Sequence, residues 1–253
     1  MPTRLGAAAV TAVSALATYT VARHQFLHWG ATAAEVRSTL PGDELLVRPS
    51  IVTTRAITID APSEQVWPWL LQMGQDRAGL YSYDWLENLF RLDFHNADRV
   101  VPEWQHLGIG DQIRAAPHTA GPSAGFTVVA IDEGSHIVTA LGDPDEVVPQ
   151  ARAGRLPQGG TWTFVLVPVT VRTTRLVVRL RARFGLSVPI EWLAARMLEP
   201  VHFVMERKQL LGIRRRVSRT TPLQPVVPVA APAGVVDGEH PLPSTGPTPS
   251  HRR

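Results

Sequence analysis

An α+β domain, with a curved antiparallel sheet wrapped around a long C-terminal helix, is the fold class that this 253-residue chain predicts. Three observations carry that expectation. Leu176, Val178, Leu180, Ala182 and Phe184 alternate with Arg175, Arg179, Arg181 and Arg183, the pattern of a strand with one buried and one wet face. The chain runs strand, two helices, several strands, then one long helical stretch from about Val188 through Arg216. A sheet bent around a single helix leaves an elongated apolar cavity, the usual place for a small ligand.

Taken in order, the first element is Leu5–Ala22, 18 uncharged residues flanked by Arg4 and Arg23. As a helix it would be roughly 27 Å long, near the thickness of a bilayer core. It predicts a single-pass membrane helix or signal anchor over residues 1–24. The side of the membrane stays open, because Arg4 and the terminal amine balance Arg23 and Arg37. A cleaved signal peptide is the rival, since Ala15-Leu16-Ala17 has the small-x-small form of a cleavage site. Residues 25–47 read as a linker with one short helix, announced by the capping box from Thr32 to Glu35. The globular domain is then 48–217. The remainder, 218–253, is a Pro-rich tail with eight prolines after Thr220, and it predicts a disordered segment.

Within the domain, Ile51–Ile59 is β-branched and alternating, with Ile51, Thr53, Arg55, Ile57 and Ile59 on one side. A helix follows at Pro62, with Glu64 near its start and an apolar face of Val66, Trp67, Trp69, Leu70 and Met73. A second helix spans about Ser82 to Leu92. Short strands are predicted at 111–114, 126–131, 136–141, 161–169 and 175–184. In the closing helix Pro200 marks a bend or break, and Val201, Val204, Met205 and Leu211 read as its packed side.

Composition removes several classes of function. Apolar residues make up 44% and charged residues 19%, which excludes a wholly disordered or coiled-coil chain. With no Cys, disulfides and thiolate chemistry are out, and a metal would need His and carboxylates. The net charge is only +3, and no aromatic residue interleaves the Arg strand, so no nucleic acid partner is expected. There is no phosphate-cradling Gly loop, no GxSxG elbow and no HExxH. No metal and no cofactor are implied.

The candidate chemistry lies in two groups. Tyr81, Asp84, Trp85, His95, Asp98, Glu103 and Trp104 crowd 24 positions, where His95 with Asp98 has the makings of a proton shuttle. Helix capping and loop hydrogen bonds account for the same residues without chemistry. His202 and Glu206 stand at i, i+4 on the closing helix and share a face. Facing the cavity, they would anchor a polar ligand group or act as an acid/base pair; facing water, they are an ordinary helix pair. Tyr81, Trp85, Trp104 and Phe126, with His202 and Glu206, are the expected ligand-binding residues. Arg175, Arg179, Arg181 and Arg183, with Arg214, Arg215, Arg216 and Arg219, offer a contact for anionic lipid if an anchor holds the domain at a membrane, or else form a solvated surface.

Residues 48–216 resemble the START-like, or SRPBCC, superfamily, in its polyketide cyclase/dehydrase and lipid transport branch and its actinobacterial-type members. The resemblance rests on TRAITIDAPSEQVWPWLLQMG, on YSYDWLENLFRLDFHNADRVVPEWQHLGIGD, on the WTFVL strand and on EPVHFVMERKQLLGIRRR. It implies a helix-grip fold of the START/Bet v 1 kind and an apolar small-molecule ligand, and it carries no catalytic residue across. The leading expectation is a membrane-tethered, non-catalytic binding domain for a lipid-like or polyketide-like molecule. The alternatives are a cyclase- or dehydratase-type enzyme using His95 and Asp98 or His202 and Glu206, and an interaction module acting through the Pro-rich tail.

Overall fold

A computed structural model describes residues 2–89 and 91–220; the Pro-rich tail lies outside the described residues, save for its first three positions. The β-branched run folds as β1 (Ile51–Ile59), and it is followed by β2 (Gln112–Arg114), β3 (Gly125–Asp132), β4 (His136–Leu141), β5 (Gly159–Thr170) and β6 (Thr173–Arg183). These make one six-stranded sheet in the order β1-β6-β5-β4-β3-β2, with every neighbouring pair antiparallel. Register shifts at Val128/Ala130 and Pro168/Thr170 interrupt the ladder, and such bulges bend a sheet and sharpen its twist. Against this curved sheet runs the last helix, 33 residues from Val188 to Thr220. The fold is the α+β helix grip that the element order predicts.

The helices are α1 (Pro2–His28), α2 (Ala33–Arg37), α3 (Ser63–Leu71), α4 (Asp84–Leu89), α5 (Pro144–Arg152) and α6 (Val188–Thr220). On α3, Val66, Trp67, Trp69 and Leu70 are buried and meet Ile57, Ile59, Phe164, Leu176 and Val178 of the sheet in the main core. Burying each such side chain contributes about 1.5–3 kcal/mol. The helix α5 has no counterpart among the expected elements. Its start is set by Asp143, whose side chain accepts from the Asp145 amide, and by Pro144 in the first turn.

Three expectations are corrected. Among the described residues no helix is long and apolar enough to cross a membrane, which overturns the single-pass membrane location inferred from Leu5–Ala22. Thr18 and Thr20 turn their hydroxyls back onto the helix carbonyls of Ser14 and Ala17, and the helix continues through polar residues to His28. Its last turns belong to the domain. Arg23 makes a two-pronged ion pair with Glu199, both contacts at 2.9 Å, and Leu27 is buried.

The second correction concerns the arginine face of β6, which is covered from Arg175 to Arg181 and exposed at Arg183. The segment from Gly30 to Leu46 lies over it. Arg179, only 3% exposed, donates to the carbonyls of Glu35, Val36 and Ser38 and pairs with Asp43 at 2.5 Å. Two of these carbonyls belong to α2, whose final turn lacks intrahelical partners, and a guanidinium fork suits them. Arg175 pairs with Glu35 at 2.7 Å, and Arg181 with Asp43 at 3.4 Å. Arg216 pairs with Asp98 at 3.0 Å. Half of the proposed lipid-contacting arginines are therefore committed inside the chain.

Third, α6 runs through Pro200 without a break, and of its expected packed side Met205 and Leu211 do face inward whereas the two valines do not. Val201 and Val204 are 58% and 45% exposed, while Glu199, Glu206, Gln209, Leu210, Ile213 and Val217 are buried. The packed side is the one that carries His202 and Glu206.

Candidate ligand-binding site

Between the concave face of the sheet and α6 lies an apolar cavity of about 160 Å³. The pleat places Phe126 of β3, Trp162 of β5 and Leu180 of β6 on this face, and α6 supplies His202, Glu206 and Gln209 at i, i+4 and i+7. The Phe126 and Trp162 rings sit 5.1 Å apart, and Trp162 and Phe164 4.6 Å apart, so the aromatic floor is closely packed. A second lobe of about 190 Å³ shares Phe126, Leu180 and His202 with the first and extends towards Phe184 and Leu198. Three shared lining residues put the two side by side between the sheet and α6.

A buried charged network forms the polar edge of this hollow. Arg55, completely buried, projects from β1 on the same face as Ile57 and Ile59. Its Nη1 donates to Glu206 Oε2 at 2.5 Å and to His202 Nδ1 at 2.9 Å. Its Nε and Nη2 both donate to the carbonyl of Phe26, at 2.8 and 2.5 Å. That carbonyl lies in the last turn of α1, where acceptors lack helical partners and negative dipole charge collects. Glu206 Oε1 accepts from Trp162 Nε1 at 2.9 Å. One guanidinium thus joins β1, α1 and α6.

The protonation states follow from these contacts. Burial alone would raise the Glu206 carboxyl, but His202, the Arg55 guanidinium and the bonds from Arg55 and Trp162 together hold it below its ordinary value. Burial is the main cause that lowers His202, with Arg55 adding to it and Glu206 opposing. Because Arg55 has only hydrogens to offer, the lone pair of neutral His202 must sit on Nδ1 and its proton on Nε2. Nε2 lies 3.4 Å from Glu206 Oε1, long for an N–H···O bond, and the ring keeps 27% of its surface open. The network presents a neutral donor to the cavity and keeps its charges to itself.

Of the residues expected at the site, Phe126, His202 and Glu206 meet in the cavity. Tyr81 is buried beside it: its hydroxyl donates to the Trp69 carbonyl and accepts from Gln72 Nε2, each at 3.0 Å, and burial pushes its pKa up. Trp85 is 69% exposed on α4 and reaches no cavity wall. Trp104 sits on a short turn, Pro102–Trp104, and packs half-buried against the main core. The His95 and Asp98 side chains are 79% and 73% exposed; His95 lies 3.7 Å from Asp93, and Asp98 pairs with Arg216. That acid/base pair is not assembled, because the two residues sit on a surface loop whose short-range contacts lead elsewhere. Among the described residues, no group of three or more His, Asp or Glu is placed to hold a metal ion.

No family model matches the chain, and no curated protein matches it. Solved structures do resemble it. CalC from Micromonospora echinospora, described as a self-sacrificing resistance protein, is 12% identical over 68% of this chain and 97% of its own, with a TM-score of 0.40. A conserved protein from Geobacillus kaustophilus is 14% identical over 67% of this chain and 96% of its own, with a TM-score of 0.36. The di-domain ARO/CYC protein BexL is 12% identical over 66% of this chain and 46% of its own, also with a TM-score of 0.36.

Arg55 and Trp162 are the functional residues to which sequence reasoning assigned no role in the polar network. A signal for Arg55 was present: a charged residue on the apolar face of a strand must find a partner or remain outside the core. Nothing in the sequence names that partner, which stands 151 positions away.

Proposed function

We propose that this chain binds a hydrophobic small molecule in the hollow between the sheet and α6 and does so without acid–base catalysis. The observation that carries the reading is the two-lobed apolar cavity, floored by Phe126, Trp162 and Leu180. Transfer of apolar ligand surface out of water contributes roughly 25 cal/mol per Å², so a molecule that fills such a space has an ample driving force without any ionic contact.

The rival reading, a cyclase- or dehydratase-type enzyme, has the position of His202 and Glu206 in its favour. Their bonding argues against it. A general base needs a free lone pair within reach of the substrate proton. The Glu206 carboxylate is buried and held below its ordinary value by its neighbours, which makes it a weak base, and the single lone pair of neutral His202 accepts from Arg55. What His202 offers is a hydrogen-bond donor.

Native mass spectrometry of the purified chain, with solvent extraction of co-purifying material, tests the proposal. An apolar passenger, or saturable uptake of Nile red that Leu180→Trp abolishes, is the expected result. A chain that is empty and takes up no apolar probe would sink the reading.

A further inference from the structure

The polar atoms at the junction of the two lobes narrow the chemistry of the occupant. The lobes share Phe126, Leu180 and His202, so His202 stands where they meet. Along α6 the lining residues run from Leu198 to Gln209, about 16 Å at the helical rise. A molecule that fills both lobes is therefore long and passes His202 near its middle.

Two hydrogen-bond donors are placed for it. One is His202 Nε2–H, since Nδ1 accepts from Arg55. The other is the Thr53 hydroxyl, which is fully buried in the wall of the second lobe and has no hydrogen-bond partner among the described residues. An orphaned buried hydroxyl is costly, and an acceptor supplied by a ligand would remove that cost. Charge is disfavoured in either sense. A carboxylate opposite His202 would face the ionised Glu206, 3.4 Å from Nε2, while four of the five Arg55 hydrogens that would compensate are engaged by Glu206, His202 and Phe26. A cation would meet donors.

We propose that the two lobes hold one elongated, uncharged molecule whose carbonyl-type oxygen lies at their junction and accepts from His202 Nε2–H and the Thr53 hydroxyl. This rests on reading the hollow as a ligand site. The acceptor is a ketone or ester oxygen well inside the chain of the molecule, not a terminal acid.

Displacement of Nile red from the full chain by 7-tridecanone, 2-tridecanone, tridecane and dodecanoate tests it. The expected order places 7-tridecanone first, about tenfold or more tighter than tridecane, the net worth of two added hydrogen bonds. Thr53→Val and His202→Leu are each expected to erase most of that advantage, measured as the ratio of ketone to alkane affinity within the same variant. Thr53→Val also removes an orphaned hydroxyl, so the unliganded protein keeps its stability or gains some. Equal affinity for ketone and alkane, tighter binding of dodecanoate, or an advantage that survives in Thr53→Val overturns the inference while the cavity reading stands. Failure of every probe to bind overturns both. Should His202→Leu not fold, the wild-type series and Thr53→Val decide.

Discussion

Replacing Glu206 with Leu removes the one carboxylate that neutralises the completely buried Arg55. At their 2.5 Å separation the gross attraction is roughly 7 kcal/mol at an effective dielectric constant of about 20, and much of it offsets the cost of taking the two charges out of water. Deleting one partner forfeits the attraction but leaves the desolvated guanidinium, which keeps only the Phe26 carbonyl and His202 Nδ1 as acceptors. The Trp162 indole N–H is orphaned as well. Breaking a buried pair in this way costs about 3–5 kcal/mol, a large share of the 5–15 kcal/mol typical of a whole domain. Urea unfolding followed by circular dichroism reads this as a midpoint lowered by about 1–2 M, for a slope near 3 kcal/mol per M. Arg55→Met combined with Glu206→Leu should recover much of the loss, because a hydrophobic replacement of both partners carries no stranded charge. A cost below about 1 kcal/mol for Glu206→Leu, or a double variant as damaged as the two single losses added together, would refute the argument.

Other outcomes follow from the same contacts. His202 and His28 are both held below the ordinary histidine value, chiefly by burial, so the unfolded chain takes up their protons first. Stability should therefore fall as pH drops below about 6.5, and His202→Phe should flatten part of that slope in urea titrations at stepped pH. Glu206 contributes in the lower window: its stabilisation is present above about pH 4.5 and is lost as pH falls through its depressed folded value. In α6, Gly212→Ala would place a methyl group 2.5 Å from the Tyr81 carbonyl oxygen. The clash should outweigh the roughly 1 kcal/mol gained in helix propensity, giving a lower melting temperature where an unhindered helix position would give a higher one. Trp85→Ala and His95→Ala, both at exposed side chains, should each change stability by less than about 0.5 kcal/mol and leave Nile red uptake as it is.

The legible part of the site was its residue types on α6. The i, i+4 spacing of His202 and Glu206 requires that they share a face, yet which face packs was misread. Val201 and Val204 looked like the buried arc on hydrophobicity alone, and both are exposed, whereas the arc with two carboxylates, Glu199 and Glu206, is inside. Hydrophobicity misleads there because Arg23 and Arg55 reach from α1 and β1 to neutralise those carboxylates. His95 and Asp98 were attractive for the opposite reason. Closeness in sequence suggested a pair, but a loop fixes no common direction for its side chains.

What the sequence by itself determined is the kind and order of the elements. The two-residue period of Thr173–Arg183, the β-branched run of Ile51–Ile59 and the capping box at Thr32 are local patterns, and each element formed where its pattern stands. Only the tertiary structure decided which charges are buried, which face of β6 is covered and where the cavity turns polar. Period and propensity act over a few neighbouring residues, whereas a buried charge is tolerated only when an opposite charge arrives from elsewhere. For Arg55 that charge is Glu206, brought from the far end of the chain by the helix that the sheet encloses.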